Sequence, residues 1–360
     1  PWVWSFFRVR VQPVGGPGIT PRRGSSPFPA SDFAAVPSGK LRKEAEDKLV
    51  SLLKDKNEEI RCQVLRTLAD ATTVKGQLPL GPLLADASPR VRFFAAILTG
   101  KRGMTGYYGP VCDMLAANND RDPMLRHAGA FALQHITPNV NALRGLAYHP
   151  SASVRLAAVV ALRRMKNPDV VEFIRDAEPR VADEAIRAIG DLDISSQRRS
   201  VAGLMDQLGA RQWSPFMLRR LLHNSFRIGD SENAARVLNF AADTTQPEYL
   251  RKEAFRLLSE WTKPFPVDQL TGHWNPLPER DATVILPLLT PKIPALLAQE
   301  GFVLTETLGL IARYGIKTPS LDAAAPRGFM GRASLPAAAR SKAIDLLVDR
   351  KPADLDKFLS

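Results

Sequence analysis

The sequence predicts an all-α chain, an α-solenoid of two-helix repeats behind a disordered N-terminal leader. Three observations carry that expectation. The stretch from Ser151 to Gly190 holds one small unit twice: a turn, then a Val (Val154, Val181), then an Ala-rich apolar helix. An apolar residue followed by arginine recurs at Arg61, Arg92, Arg126, Arg155, Arg219 and Arg251, with a further copy at Val181, in steps of roughly 27 to 37 residues that suit a helix pair. Finally, 45% hydrophobic residues with only 7% aromatics fit helices packed through Ala and Leu rather than a β-sandwich.

Proline three or four residues before the arginine (Pro89, Pro123, Pro215, Pro247) starts the second helix of each pair, because its φ is preset and its missing N–H is not needed there. Asp86, Asp120, Asp122 and Asp176 are candidate caps of the same ends. The repeated arginines are read as structural markers, placed to reach the preceding turn or an acid in the next repeat. No catalytic, cofactor-binding or metal-binding residue is assigned.

Residues 1–38 form the leader: Trp2, Trp4, Phe6 and Phe7, followed by Gly, Pro, Ser and Arg, with too little apolar surface to offset ordering. Its apolar patch is too short for a signal peptide or a membrane span. Residues 1–43 also hold seven cationic residues against Asp32 alone, half of the net charge of +12. The remainder interleaves Arg with Asp and Glu, which counts against nucleic acid as a partner.

Residues 39–262 form the repeat array. Its pairs are expected at Lys40 to Lys54 with Glu58 to Ala69, Leu80 to Ala85 with Arg90 to Leu98, Val111 to Ala117 with Met124 to His135, and Val140 to Ala147 with Ser153 to Met165. The second copy spans Val170 to Gly190. Ser195 to Leu208 with a helix from Pro215, stopped by Gly229, and Ser231 to Ala242 with Pro247 to Trp261 complete the array. Gly100, Gly103, Gly106 and Gly109 follow a helix and read as a loop, not a phosphate cradle. Four prolines between residues 263 and 281 forbid a helix, so a connection packed by its own aromatics is expected. Residues 282–360 resume as helical repeats: Ala282 to Leu289, Ile293 to Gln299, Thr305 to Tyr314 and Pro336 to Val348, with a loop insertion near 318–334 and a last short helix at Pro352 to Leu359. No capping repeat ends the array, so the chain is expected to be a piece of a longer protein.

His127 and His135 share a helix face but lack further ligands at metal spacing. Cys62 and Cys112 follow no metal or redox spacing and are expected as buried apolar residues. Hydrolase signatures of the Gly-x-Ser-x-Gly and His-Glu-x-x-His kinds are absent.

Five segments in order, Leu125 to Leu133, Val154 to Ile189, Asn224 to Asp243, Leu250 to Asp268 and the HWNPLPERD of His273 to Asp281, resemble the HEAT-repeat segment of large secreted proteins of the planctomycete and verrucomicrobial membrane-bound dehydrogenase type. The resemblance covers most of residues 41 to 317. It implies a sugar-dehydrogenase-like propeller before the array, with a PQQ-like cofactor, a c-type cytochrome carrying haem after it, and a periplasmic or secreted location. This sequence has no Cys-x-x-Cys-His and no propeller strands, so no cofactor is assigned to this segment. The expected role is a non-catalytic scaffold or spacer whose partners are adjoining domains or protein. The alternatives are a free-standing HEAT adaptor with a concave binding face, and a helical-repeat enzyme of the DNA-glycosylase-like kind using Trp213, Trp261 or Trp274.

Overall fold

The computed structural model describes residues 40–70, 78–192, 194–299, 301–317 and 324–350. The chain divides into two compact units, residues 1–49 and 50–360. In the first, residues 40–49 belong to helix α1 (Lys40–Leu52). The expected disordered leader, residues 1–38, lies outside the described residues, as does the expected helix at Pro352 to Leu359.

The second unit is all-α. Helix α2 (Glu58–Asp70) is followed by α3 (Gly81–Leu84) with α4 (Pro89–Lys101), α5 (Tyr108–Asn118) with α6 (Pro123–Ile136), and α7 (Val140–Gly145) with α8 (Ala152–Arg164). Next, a 3-10 turn at Pro168–Phe173 precedes α9 (Pro179–Asp191), and α10 (Arg198–Ala202), extended by a 3-10 stretch at Gly203–Ala210, precedes α11 (Pro215–Ile228). The last pairs are α12 (Ser231–Ala242) with α13 (Glu248–Ser259), α14 (Leu286–Leu297) with α15 (Phe302–Tyr314), and α16 (Ala324–Gly331) with α17 (Ala337–Arg350). Among the described residues the one extended pairing is an isolated antiparallel bridge, Val267 with Trp274.

The second members of the pairs form one continuous row. Helix α2 packs on α4, α4 on α6, α6 on α8, α8 on α9, and so on through α11, α13, α15 and α17, while each from α4 onward also packs on its own partner. Small residues set the spacing. A Cβ on Gly100 of α4 would lie 2.8 Å from the Phe131 ring and 3.0 Å from Cα of Ala132 in α6, so that crossing depends on glycine. In α8 the run Leu156 to Val159 with Ala161 and Leu162 is buried, as expected of a helix with neighbours on several sides.

Helix starts follow the local chemistry. Proline opens α4, α6, α9 and α11, and Asp122 caps α6 by accepting the N–H of Met124 at 2.8 Å. Asp86 and Asp176, expected as caps, instead close two-residue turns onto the N–H groups of Ser88 and Glu178. Asp120, the remaining candidate cap, sits at φ +55° and takes the Arg126 guanidinium. Gly229 ends α11 in the left-handed region at φ +79°, as its position predicts.

Of the glycines read as a loop, Gly100 lies within α4 and Gly109 within α5. Four other expectations need correction. Residues 282–299 hold one principal helix, α14, which runs through Pro291 and Pro294. Its apolar stripe of Ile285, Leu289, Ile293 and Leu296 is buried while Pro287, Pro291 and Pro294 lie on the exposed side, so packing overrides the proline penalty. The loop insertion near 318–334 contains helix α16, whose Pro326 stands in the first turn, where no intrahelical N–H is required. The first halves of the pairs before α9 and α11 are largely 3-10 rather than full α-helices. Lastly, the 263–281 connection is not packed by its own aromatics: Trp274 is 72% exposed and Phe265 is also exposed.

Candidate functional site

The marker arginines are drawn inward as ties. In α2, α4, α6, α8 and α13 the arginine is the fourth helical residue, and in α11 it is the fifth. Arg61 donates from Nη1 to the carbonyls of Asp55 (2.8 Å) and Lys56 (3.1 Å), and from Nη2 to the Asp86 carboxylate of the next turn (2.9 Å). Arg92 repeats the inner half, on Asp86 O and Ala87 O at 2.6 and 3.1 Å. Arg155 makes the full set, to His149 O and Pro150 O at 2.8 and 3.1 Å and to both carboxylate oxygens of Asp176 at 2.7 and 2.9 Å.

Arg126 instead takes the carboxylate of Asp120. Arg251 donates to Ala241 O and Gln299 Oε1, and Arg219 to Glu253 and Gln269 O. A turn carbonyl just outside a helix has no ladder partner, and the forked guanidinium can satisfy two such groups and a carboxylate together. Lysine, with a single ammonium, could not span them.

The densest charge lies where α9, α11 and α13 meet the 263–281 connection. Along α11, Arg220, His223, Asn224 and Arg227 are buried at helical spacing within an otherwise apolar helix. Arg220 grips Asp191 of α9 through Nε (3.0 Å) and Nη2 (2.8 Å), with its Cζ 3.5 Å from the centre of the Phe216 ring. His223 Nε2 lies 2.7 Å from Glu253 of α13. Arg227 reaches Gly190 O of α9 and the carboxylate of Asp268 in the connection. Asp268 also accepts the N–H groups of Leu270 and Thr271 at 2.9 and 3.0 Å. Arg280 closes the cluster, donating to Phe226 O (2.6 Å) and Trp261 O (3.2 Å). Burial brings its guanidinium down to about 10.

Burial opposes ionisation of Glu253, but hydrogen bonds from His223 and Arg219 outweigh it and hold the carboxyl at about 2. Burial also pushes His223 below its ordinary 6.5, against the pull of Glu253. A neutral imidazole therefore donates to an ionised carboxylate. Stability is expected to fall in two steps on acidification. Below about pH 6.5 the unfolded chain binds a proton that the folded His223 refuses, and His127, also lowered by burial and by Arg164, adds to that step. The Glu253 contribution is present above its ordinary 4.5 and is lost as pH falls towards about 2. Urea midpoints measured across this range should show the upper step reduced in His223→Gln with the lower one retained. An upper step of unchanged size would refute the assignment to His223.

The other sequence candidates do not come together. His127 Nδ1 lies 3.0 Å from Arg164, and His135 sits over Phe131 with Nδ1 2.8 Å from its own helix's Phe131 O. No three metal-ligating side chains gather among the described residues. Cys62 on α2 and Cys112 on α5 are both buried, and burial raises both thiols, Cys112 to about 11. A buried, protonated pair on separate helices does not fit thioether attachment of haem, which needs two cysteines on one short loop beside a histidine.

Of the three candidate tryptophans, Trp261 is in the core, Trp274 is exposed on the bridge, and Trp213 lines an open pocket of about 380 Å³ between the turn before α9 and the turn before α11. Sequence reasoning missed Arg220, His223, Arg227, Asp268 and Arg280. The available signal was the polar stripe at residues 220, 223 and 227 within an apolar helix. No helix among the described residues is long and apolar enough to cross a membrane. Comparison with protein-family models and with curated proteins finds no match to this chain.

Proposed function

We propose that this chain is a non-catalytic HEAT-type scaffold, the spacer of a multidomain haem-linked dehydrogenase, holding a sugar-oxidising module at a fixed distance from a c-type cytochrome on the periplasmic side. The observation that carries the scaffold reading is the use of the charged side chains along the row of second helices. Arg61, Arg155, Arg219, Arg220 and Arg227 each bind the next or preceding repeat. Ties of this kind resist the sliding of one pair on another, and an array of nearest-neighbour contacts then behaves as a stiff strut. The dehydrogenase context is supported by the sequence resemblance of residues 41 to 317, the HWNPLPERD connection above all.

The test is made on the native protein. An antibody raised against residues 78–299 is used to isolate the polypeptide from its source cells, followed by size determination, haem staining and cell fractionation. The expected result is a periplasmic polypeptide much longer than this chain that carries covalent haem. A haem-free native polypeptide no longer than this chain would overturn the spacer reading.

A further inference from the structure

One copy of the repeat lacks its tie. The spacing that fixes the register is an aspartate six residues before the arginine: Asp55 with Arg61, Asp86 with Arg92, Asp120 with Arg126. By the same spacing Asp176 is matched with residue 182, the fourth residue of α9, and that residue is Ala182, fully buried. In α2, α4 and α8 the guanidinium fills the two carbonyls six and five residues before it. The equivalent carbonyls, Asp176 O and Ala177 O, accept no hydrogen bond among the described residues. The next repeat departs as well, since the fourth residue of α11 is Leu218 and its Arg219 turns away to Glu253 and Gln269.

The open pocket lies between the turns of these two repeats. Asp176 and Ala177 form part of its wall, with Ile174 and Leu204 apolar and Arg175, Arg211 and Trp213 around them. Its net charge is positive. Both Asp176 carboxylate oxygens are taken by Arg155. Arg175 is exposed and pairs with no carboxylate among the described residues. Arg211 lies over the Trp213 ring at 4.4 Å and reaches Asp183 only at 3.5 Å. A cationic ligand would meet two guanidinium groups there, so the missing arginine is not replaced by another cation.

We propose that this pocket binds an extended acidic segment of a partner polypeptide, its carboxylate held by Arg175 and Arg211, its backbone N–H groups on the carbonyls of Asp176 and Ala177, and an adjoining apolar side chain against Ile174 and Leu204. Charge-assisted bonds to the carboxylate supply selectivity, and the carbonyls that no protein group fills can accept from the donors that a peptide backbone carries. The proposal stands apart from the spacer reading, because it concerns binding by this chain alone and survives if the native protein carries no haem.

The experiment is fluorescence anisotropy on the full chain with a fluorescein-labelled hexapeptide of alternating aspartate and leucine, beside a matched peptide with asparagine for aspartate. The acidic peptide is expected to bind about tenfold or more tightly than its neutral match, and Arg175→Glu to weaken it by about tenfold or more. Ala182→Arg, which restores the repeat's own guanidinium, should abolish binding, with its folding checked by far-UV circular dichroism because Ala182 is fully buried. Equal affinity for both peptides, no binding, or no loss in Arg175→Glu would overturn the proposal. So would displacement of the peptide by a single-stranded oligonucleotide together with unchanged binding in Ala182→Arg, which would assign the charge to phosphate recognition. If Ala182→Arg does not fold, the exposed Arg175 variant decides alone.

Discussion

Arg227→Met is expected to lower the stability of the folded chain by about 3–5 kcal/mol, the usual loss when one partner of a buried ion pair is removed. The side chains of Arg227 and Asp268 are only 3% and 5% exposed. Methionine fills much of the arginine volume, so the effect is mainly electrostatic. It strands the Asp268 carboxylate on two backbone N–H groups and a threonine hydroxyl, and removes the donor to Gly190 O. The loss has a local signature too, because Arg227 and Arg219 are ties from α11 to the 263–281 connection. Chymotrypsin should therefore cut after the exposed Trp274 of that connection faster in the variant than in the parent chain. Adding Asp268→Leu should recover part of the loss, since the uncompensated carboxylate is then gone. A change below about 1 kcal/mol in urea unfolding would place this pair among weak surface bridges despite its burial.

The difference between what was legible in the sequence and what was not follows the range of each interaction. Pro89, Pro123 and Pro215 announce helix starts because the reason is local, a missing N–H at a position that does not use one. Arg61, Arg92, Arg126 and Arg155 are legible for a similar reason, since each has acceptors five or six residues upstream. The stripe of Arg220, His223 and Arg227 was not legible as a buried cluster. Its partners Asp191, Glu253 and Asp268 lie on three other segments 29 to 41 residues away, and polar residues at helical spacing usually mean a wet face.

Helix α14 fails as a sequence reading for the opposite reason. Its prolines are a strong local signal, and the burial of Ile285, Leu289, Ile293 and Leu296 against the neighbouring pairs overrules it. The pocket beside α9 became readable only as an absence, alanine where the register calls for arginine. An absence carries meaning only once the carbonyls it leaves unfilled are located.

Trp261→Ala is expected to be equally damaging, at about 3–5 kcal/mol, the range for removing a large buried aromatic. Trp261 is wholly buried, with its ring edge-on to Phe226 at 5.4 Å and its indole N–H on Gly229 O at 3.2 Å. The site cannot collapse around the loss. Gly229 is held in the left-handed region by the end of α11, and a Cβ there would fall inside the Arg280 guanidinium, so backbone and arginine already occupy the space on that side. Arg280 has no carboxylate partner among the described residues and depends on Phe226 O, Trp261 O and the two rings, 4.9 and 5.2 Å from its Cζ. Removing the indole opens a cavity beside a buried cation, which compounds the packing loss with a solvation cost. Trp261→Phe separates the two parts: it keeps most of the apolar ring and loses the N–H to Gly229 O, for about 1–2 kcal/mol. Trp274→Ala, at the exposed bridge, is the control and should change stability by no more than about 0.5 kcal/mol. The three variants compared by far-UV circular dichroism in urea should rank in that order. If Trp261→Ala proved no worse than Trp274→Ala, the Trp261–Gly229–Arg280 junction would not be the point at which the connection is fastened to the array.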